Sequence, residues 1–321
     1  MKRYLLAISA FALSSFLFDA AAQAWPTKPL RAVVPVGAGS STDIVHRLVL
    51  EQVSAQIRQP IVIDNRVGAG GTIGSAVVAK SEPDGYTILA HGAAHTIAPA
   101  LYKNLPYHPA RDFIAVAPVG ISPSVLVVSP AKSMNSAAEL ATAGKARPGT
   151  LNFSSVGIGT ATHLSAERFV SSAGIQAVHV PFKGGAEATL EVIAGRVDFF
   201  FGPVALVLPH IRDGKLRALA VNGSSRSTAL PDVPTLREAG FKEAEYPIWF
   251  ALFAPARTPS DIVNRVHRET LSALQTPKLR EKLAALGVDP MVMSQSEFAA
   301  HVEREIVLNA KLVQQAGVKT D

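Results

Sequence analysis

The sequence predicts an α/β protein of two lobes, each a doubly wound sheet with flanking helices. Three observations predict it. Apolar β-rich runs alternate with stretches of helical periodicity in two separate series. Extended segments separate the two series, and glycine-rich turns follow several of the strands. At 321 residues the chain is also too long for one ordinary hydrophobic core.

The first series has the order strand, helix, strand, helix, strand, which indicates a largely parallel sheet. We predict strands at 30–36, 60–63 and 86–90, with helices reaching about Arg58 and Lys80. Proline and β-formers dominate 113–130, which we interpret as a crossing strand or linker.

The second series repeats the alternation, and its expected elements are helices at 136–145, 160–172, 187–195 and 204–212 and strands at 151–155, 177–181, 197–201 and 216–222. A strand at 246–255 is expected to cross back. The C-terminal part is helical: Thr258 is expected to cap a helix that begins at Pro259, and Ser294 with Glu297 forms a capping-box pattern.

Two α/β halves joined by two extended crossings describe a hinged, periplasmic-binding-protein (Venus flytrap) fold. We assign 25–122 plus 248–321 to lobe 1 and 123–247 to lobe 2. A ligand cleft is expected between the lobes, at the carboxyl ends of the strands.

Residues 1–24 have the pattern of a signal peptide. Lys2 and Arg3 precede an apolar stretch, and Ala22-Gln23-Ala24 forms a small-residue cleavage site. We expect cleavage after Ala24 and a soluble protein in the periplasm. Because the sequence contains no cysteine, lipidation, disulfides and thiolate chemistry are excluded.

The net charge of +6 suits an anionic small ligand, although most lysines and arginines are expected to be solvated. The basic residues are scattered and form no nucleic-acid patch, so no nucleic-acid partner is expected.

Four glycine-rich turns are the strongest functional signal, at 35–43, 65–71, 154–160 and 181–185. Glycine leaves the backbone N–H groups at a helix start uncovered, and these groups together with the helix dipole attract anions. An ordinary tight turn is the alternative for each. Four such turns at one cleft favour an anion site, with Gly37, Gly39, Gly70, Gly71, Gly157 and Gly184 as the candidate glycines.

Several side chains on these turns are candidates, and each has a structural alternative. Ser40, Ser154 and Ser155 suit either hydroxyl donation or capping. His163 faces either the cleft or a packed surface, and Lys183 either pairs with a carboxylate or points to solvent. Asp43 is expected to accept from helix N-terminal N–H groups.

No catalytic or cofactor motif is complete. Thr42 replaces the third glycine of a dinucleotide fingerprint, and no lysine makes the turn a P-loop. The chain has no Gly-x-Ser-x-Gly elbow. His91 and His95 lack the remaining residues of a zinc motif. We therefore expect no enzyme activity, no cofactor and no metal.

With its turns and motifs in this order, the chain resembles the Bug family, the exported solute-binding proteins of tripartite tricarboxylate transporters. The matching segments cover nearly the whole mature chain and include 35–43, 65–74, 83–87, 151–164 and 179–184, together with His95 and 214–220. The resemblance implies a cleft that closes on a carboxylated metabolite, held by backbone groups and ordered waters, without catalysis. The implied ligand-binding residues are Val36, Gly37, Gly39, Ser40, Thr42, Asp43, Gly70, Gly71, His95, Ser154, Ser155, Gly157, Thr160, His163, Lys183 and Gly184.

The chain departs from the family pattern at three places. Val36-Gly37 stands where Phe-Pro is usual, Ser40 where glycine is usual and Val67 where proline is usual. The smaller Val36 side chain suggests a bulkier or more deeply placed ligand.

The function expected from the sequence is capture of a small carboxylate-bearing metabolite and its delivery to the membrane permease subunits of a tripartite tricarboxylate-type transporter. An alternative is a periplasmic ligand-presenting protein that acts on a sensor kinase, and an exported hydrolase is a third. A monomer is expected.

Overall fold

The structure, a computed structural model, describes residues 25–315 apart from residues 224, 243 and 247. The predicted signal peptide, residues 1–24, lies outside the described residues. No helix within the described part of the chain combines the length and the apolar character needed to cross a membrane.

The chain begins with a strand–helix alternation close to the predicted one. Its elements are β1 (Leu30–Val34), α1 (Ser41–Ile57), β2 (Ile61–Asn65), α2 (Thr72–Ala79), β3 (Thr87–Gly92), α3 (Ala94–Leu101) and β4 (Phe113–Ser122), with a short 3-10 helix at Ala69–Gly71.

The second alternation follows directly and returns to the first through a long strand. Its elements are β5 (Ser124–Val128), α4 (Ala137–Ala146), β6 (Leu151–Ser155), α5 (Ala161–Ala173), β7 (Ala177–Pro181), α6 (Gly185–Ile193), β8 (Phe199–Pro203), α7 (Val204–Arg212) and β9 (Arg217–Asn222). The chain then forms β10 (Ile248–Pro255), α8 (Ser260–Gln275), α9 (Pro277–Ala285), β11 (Asp289–Pro290) and α10 (Gln295–Gln315).

The strands form two sheets. The six-stranded sheet has the order β11-β4-β10-β3-β1-β2, and the five-stranded sheet has the order β7-β6-β8-β5-β9. The predicted parallel pairing holds for β1 with β2 and β3, and for β6 with β7 and β8. In the six-stranded sheet β4 and β10 are each antiparallel to both neighbours, and in the five-stranded sheet β5 is.

The segment predicted as a crossing contributes one strand to each sheet. β4 ends at Ser122 in the six-stranded sheet, β5 starts at Ser124 in the five-stranded sheet, and Pro123 lies between them. Proline has no backbone N–H and cannot continue a ladder, so the change of sheet occurs where pairing is already interrupted. The crossing segments are therefore integral strands rather than linkers.

Helices cover both faces of each sheet. The aromatic run at the start of β8 shows the alternation, because Phe199 and Phe201 pack on one face of the five-stranded sheet with Phe169 of α5. Phe200 packs on the other face with Val207 of α7. The three rings are thus core residues on opposite faces of one strand, as the alternation of side chains along a strand requires.

Helix termini confirm one sequence expectation and correct another. The Ser294 N–H donates to the Glu297 carboxylate at 2.8 Å, and the Glu297 N–H donates to Ser294 Oγ at 3.3 Å, which completes the predicted capping box. Thr258 does not cap α8: its hydroxyl donates to the Pro255 carbonyl at 2.7 Å, and Pro259 occupies the N-cap position.

One helix, α3, was not predicted from the sequence. This eight-residue segment contains Pro99, which is rare inside helices, and its N-cap residue Ala93 is not a usual capping residue. Most of its residues are buried, and its position is decided by packing against α10 and β3.

Candidate functional site

A cavity of about 430 Å³ lies where the helices that follow β1, β2, β3 and β6 begin. The first three helices belong with the six-stranded sheet and the fourth with the five-stranded sheet, so both halves of the molecule form the wall. The start of β10 completes it. The volume falls within the range usual for small-molecule sites.

The β1–α1 turn supplies Val36, Gly37 and Thr42 to the cavity wall. Ser40 caps α1, its Oγ accepting from the Asp43 N–H at 3.3 Å. Gly39, Ser40 and Asp43 are not part of the wall. Hydrogen bonds among these three residues stabilise the conformation of the turn.

Asp43 is the fixed point of this turn. Its Oδ2 accepts from the Gly39 N–H and from Arg47 Nε, each at 2.9 Å, and its Oδ1 accepts from Asn65 Nδ2 at 2.9 Å. Burial alone would raise the pKa of this carboxyl, but the hydrogen bonds from Arg47, Asn65 and Gly39 outweigh burial and lower the pKa to about 2. Asp43 thus remains ionised with its charge fully compensated.

Asp43→Asn is expected to reduce the free energy of unfolding by about 2 kcal/mol at pH 7. A carboxyl whose pKa is lower in the folded than in the unfolded protein stabilises the fold at any pH above its unfolded-state pKa. This contribution is lost as the pH falls from the ordinary value of 3.8 towards 2. Urea unfolding of both proteins at pH 7 and pH 3 measures it, and about half of the difference should be gone at pH 3. An equal difference at the two pH values would show that the charge of Asp43 is not the cause.

The β2–α2 turn places Gly70 and Gly71 on the wall, both with positive φ, 63° and 96°. A Cβ atom would lie 2.6 Å from Tyr102 Oη at Gly70 and 2.9 Å from His91 Nε2 at Gly71. The two glycines therefore permit a backbone conformation and a close approach that other residues would not. They bring His91 and Tyr102, which were absent from the predicted site, to the cavity.

The β6–α5 turn supplies Thr160, the N-cap of α5, together with Gly159. The Thr160 hydroxyl donates to the Gly157 carbonyl at 2.7 Å and accepts from the His163 N–H at 3.4 Å. His163 Nδ1 accepts from the Gly159 N–H at 3.0 Å. His163 and Gly157 are not on the wall, and their hydrogen bonds stabilise the conformation of this turn.

Ser154 and Ser155 bind other protein groups. The Ser154 hydroxyl donates to the Ala188 carbonyl at 3.2 Å, and Ser155 Oγ lies 2.6 Å from His179 Nε2. Both serines are fully buried and neither lines the cavity. Their hydroxyl groups are therefore engaged within the protein.

The β7–α6 turn does not reach the cavity either. Lys183 is exposed, and Gly184 has extended backbone at φ −162° with open space around its α-carbon. The fourth helix start on the wall is that of α3, through His91, Gly92 and Ala94. This helix start was not predicted from the sequence, because a single glycine, Gly92, precedes it rather than a glycine-rich turn.

His95 is a core residue. Its ring stacks on Tyr107 at 5.9 Å between centroids and contacts Phe113 and Phe253, and its Nε2 is 3.2 Å from the Pro109 carbonyl. Burial lowers the pKa of His95 to about 4, so the ring is neutral. Its match to the family pattern reflects packing, and it does not line the cavity.

Among the described residues, no lysine, arginine, aspartate or glutamate lines the cavity. Much of the wall is apolar, including Ile97, Leu101 and Val156. Within the described residues, the N–H groups of Thr42 in α1 and Ala161 in α5 have no acceptor. Helix N-termini from both halves thus face a largely apolar space, which suits a small anion with an apolar body.

Metal-binding side chains do not gather at this site. In residues 25–315, leaving out the three undescribed positions, no three histidines, aspartates or glutamates are placed to hold an ion. His91 and His95 are neighbours at 5.9 Å between ring centroids.

Two sheets with flanking helices, and a cavity walled by helix starts from both, define a two-lobed solute-binding protein. Residues 45–318 match the family described as the tripartite tricarboxylate transporter family receptor. The chain belongs to this family, whose members are substrate-binding proteins rather than enzymes.

Similar proteins agree with this assignment. Protein BugT of Bordetella pertussis is 35% identical over 322 residues, covering 99% of each chain. The structure of Rhodopseudomonas palustris Rpa4515 with adipate is 32% identical with a TM-score of 0.78, over 92% of this chain and 99% of that one. The structure of MatC with bound malate, from the same species, is 31% identical with a TM-score of 0.75, over 90% and 100%. The predicted fold class and family resemblance are confirmed.

Proposed function

We propose that the protein binds a small carboxylate-bearing metabolite in this cavity and delivers it to the permease of a tripartite tricarboxylate-type transporter. The observation that supports the proposal best is the pair of open helix N-termini, α1 and α5, that reach one cavity from the two sheets. No acidic side chain of the described chain lies on the wall between them to repel an anion. Backbone N–H groups bind carboxylates well in such a setting.

The comparisons support the ligand class and the transport role. Adipate and malate are the molecules named with two of the similar structures, and both are small carboxylates. The family description is that of a transporter receptor, which favours delivery to a permease over the sensor-kinase alternative.

We divide the predicted residues by their place at the cavity. Those proposed to contact the ligand are Val36, Gly37, Thr42, Gly70, Gly71 and Thr160. Gly39, Ser40, Asp43, Gly157 and His163 are proposed to hold the contacting turns in shape.

The cell location and the lobe boundaries are also proposals. Export through a signal peptide at 1–24 agrees with a family of periplasmic receptors. A division into 25–122 plus 248–321 and 123–247 agrees with the strand content of the two sheets. We propose that the protein works as a monomer.

Binding is expected to require an ionised carboxylate. A thermal-shift screen of organic acids identifies the ligand, since an acid at 100 times its dissociation constant stabilises by about 2.7 kcal/mol. The primary amide of the best acid is then expected to bind roughly 10- to 150-fold more weakly by calorimetry, because a charge-assisted hydrogen bond is lost. Equal affinity of acid and amide would contradict the proposal.

A further inference from the structure

His91 is a buried side chain, and no hydrogen bond between its ring nitrogens and another described residue is present. It is the penultimate residue of β3, is 2% exposed and lies on the cavity wall. A buried polar group normally has a partner, in the protein, in water or in a ligand. Because His91 lies on the cavity wall, a molecule in the cavity is placed to supply such a partner.

The other buried histidines are bonded within the protein. His46 has both ring nitrogens near backbone carbonyl oxygens, at 2.7 and 3.1 Å. His163 accepts from the Gly159 N–H at 3.0 Å, and His95 has one nitrogen 3.2 Å from a carbonyl oxygen. Of the four buried histidines that the structure describes, His91 is the one with neither nitrogen bonded and a place on the cavity wall.

Gly71 keeps the imidazole edge of His91 open. A Cβ atom at position 71 would lie 2.9 Å from His91 Nε2 and 3.2 Å from Cε1. Gly71 is itself part of the wall, so a side chain there would cover this nitrogen. With glycine, no side chain at position 71 covers this nitrogen.

The ring of His91 is neutral near pH 7. Burial lowers its pKa well below the ordinary value of 6.5, and the nearby histidines His95 and His46 act in the same direction. A neutral imidazole offers one N–H donor and one acceptor nitrogen. A hydroxyl or carbonyl group satisfies such a ring, whereas a second carboxylate would find no positive charge there.

We infer that His91 is a specificity-determining residue, which hydrogen-bonds an uncharged hydroxyl or carbonyl group on the ligand. This inference rests on the proposed function and adds a substrate class to it. The ligand is a carboxylate whose largely apolar chain bears a hydroxyl or oxo group.

The test compares acids that share one six-carbon chain. The probes are hexanoate, 2-, 3- and 6-hydroxyhexanoate, 5-oxohexanoate and adipate, with affinities measured by calorimetry for wild type, His91→Phe and His91→Gln. Phenylalanine keeps a ring without nitrogens, and glutamine keeps hydrogen-bonding capacity. His91→Leu is the second apolar variant if His91→Phe does not fold.

One hydroxy or oxo acid is expected to bind wild type at least tenfold more tightly than hexanoate. In His91→Phe this preference should fall below threefold, while His91→Gln keeps most of it. The ratio of two affinities for one variant does not change with a loss of stability alone.

The alternative outcomes are distinct. The inference about His91 would be wrong, and the proposed function unaffected, in either of two cases. In the first, the preference persists in His91→Phe; in the second, wild type binds hexanoate as tightly as the hydroxy and oxo acids. If adipate binds most tightly and its binding depends on His91, the inference that His91 binds an uncharged group is wrong. His91 would then bind a second carboxylate. If no acid of this panel or of the wider screen binds, the proposed function fails together with the inference.

Discussion

Gly92→Ala is expected to lower the free energy of unfolding by about 3 kcal/mol, the upper part of the range for overpacking. Gly92 lies opposite Phe250 in the β3–β10 ladder, and a Cβ atom there would stand 2.1 Å from the Trp249 carbonyl oxygen. The same oxygen accepts from the Ala93 N–H at 3.1 Å. Because this neighbour is backbone, it cannot turn away, and the two strands must separate.

Gly37→Ala is the matched control for this substitution. Gly37 also lines the cavity, but a Cβ atom at Gly37 meets no heavy atom within 4 Å. Thermal melting without ligand should show a fall of roughly 6 °C or more for Gly92→Ala and little change for Gly37→Ala. Equal melting temperatures would show that β3 and β10 can adjust without cost.

Gly159→Ala is expected to weaken ligand binding by more than tenfold. Gly159 lies in the β6–α5 turn with φ 74°, and a Cβ atom there would stand 2.6 Å from Leu101 Cδ1 at the end of α3. Gly159 follows β6 of the five-stranded sheet, and Leu101 ends the helix that follows β3 of the six-stranded sheet. The two residues meet at the cavity wall. An added methyl group therefore displaces the Leu101 side chain at the cavity wall as well as straining the turn.

Gly149→Ala separates the contact from the backbone strain. Gly149 has φ 75°, almost the same conformation, but open space around its α-carbon and no place on the cavity wall. Both variants should lose about 1 kcal/mol of stability through strain. Calorimetry with the acid found by screening should show weaker binding for Gly159→Ala alone. A similar loss of affinity in both variants would mean that the contact with Leu101 has no part in binding.

Much of the architecture followed from local signals. The strand–helix alternation predicted two sheets, and helix 204–212 agrees with α7 to the residue. These signals are periodicity, turn chemistry and capping, which depend on residues close together in the sequence. The antiparallel pairing of β5 with β8, and of β10 with β3, was not predicted. Pairing between segments that are distant in the sequence leaves no local pattern.

Local sequence patterns were enough to predict the fold class, the family resemblance and the glycine turns at 35–43, 65–71 and 154–160 that reach the cavity. Glycine content reveals a turn's backbone freedom, but not whether that turn lies at the cleft. Only the tertiary structure left the turn of Lys183 and Gly184 outside the cavity, buried His95 in an aromatic core and placed His91 on the wall. His91 and His95 are four residues apart in the sequence but have different surroundings. The ring of His95 is packed against Phe113 and Phe253, whereas the ring of His91 lies beside Gly71, which has no side chain. Such neighbours come from distant parts of the chain, so packing alone decides which histidine can meet a ligand.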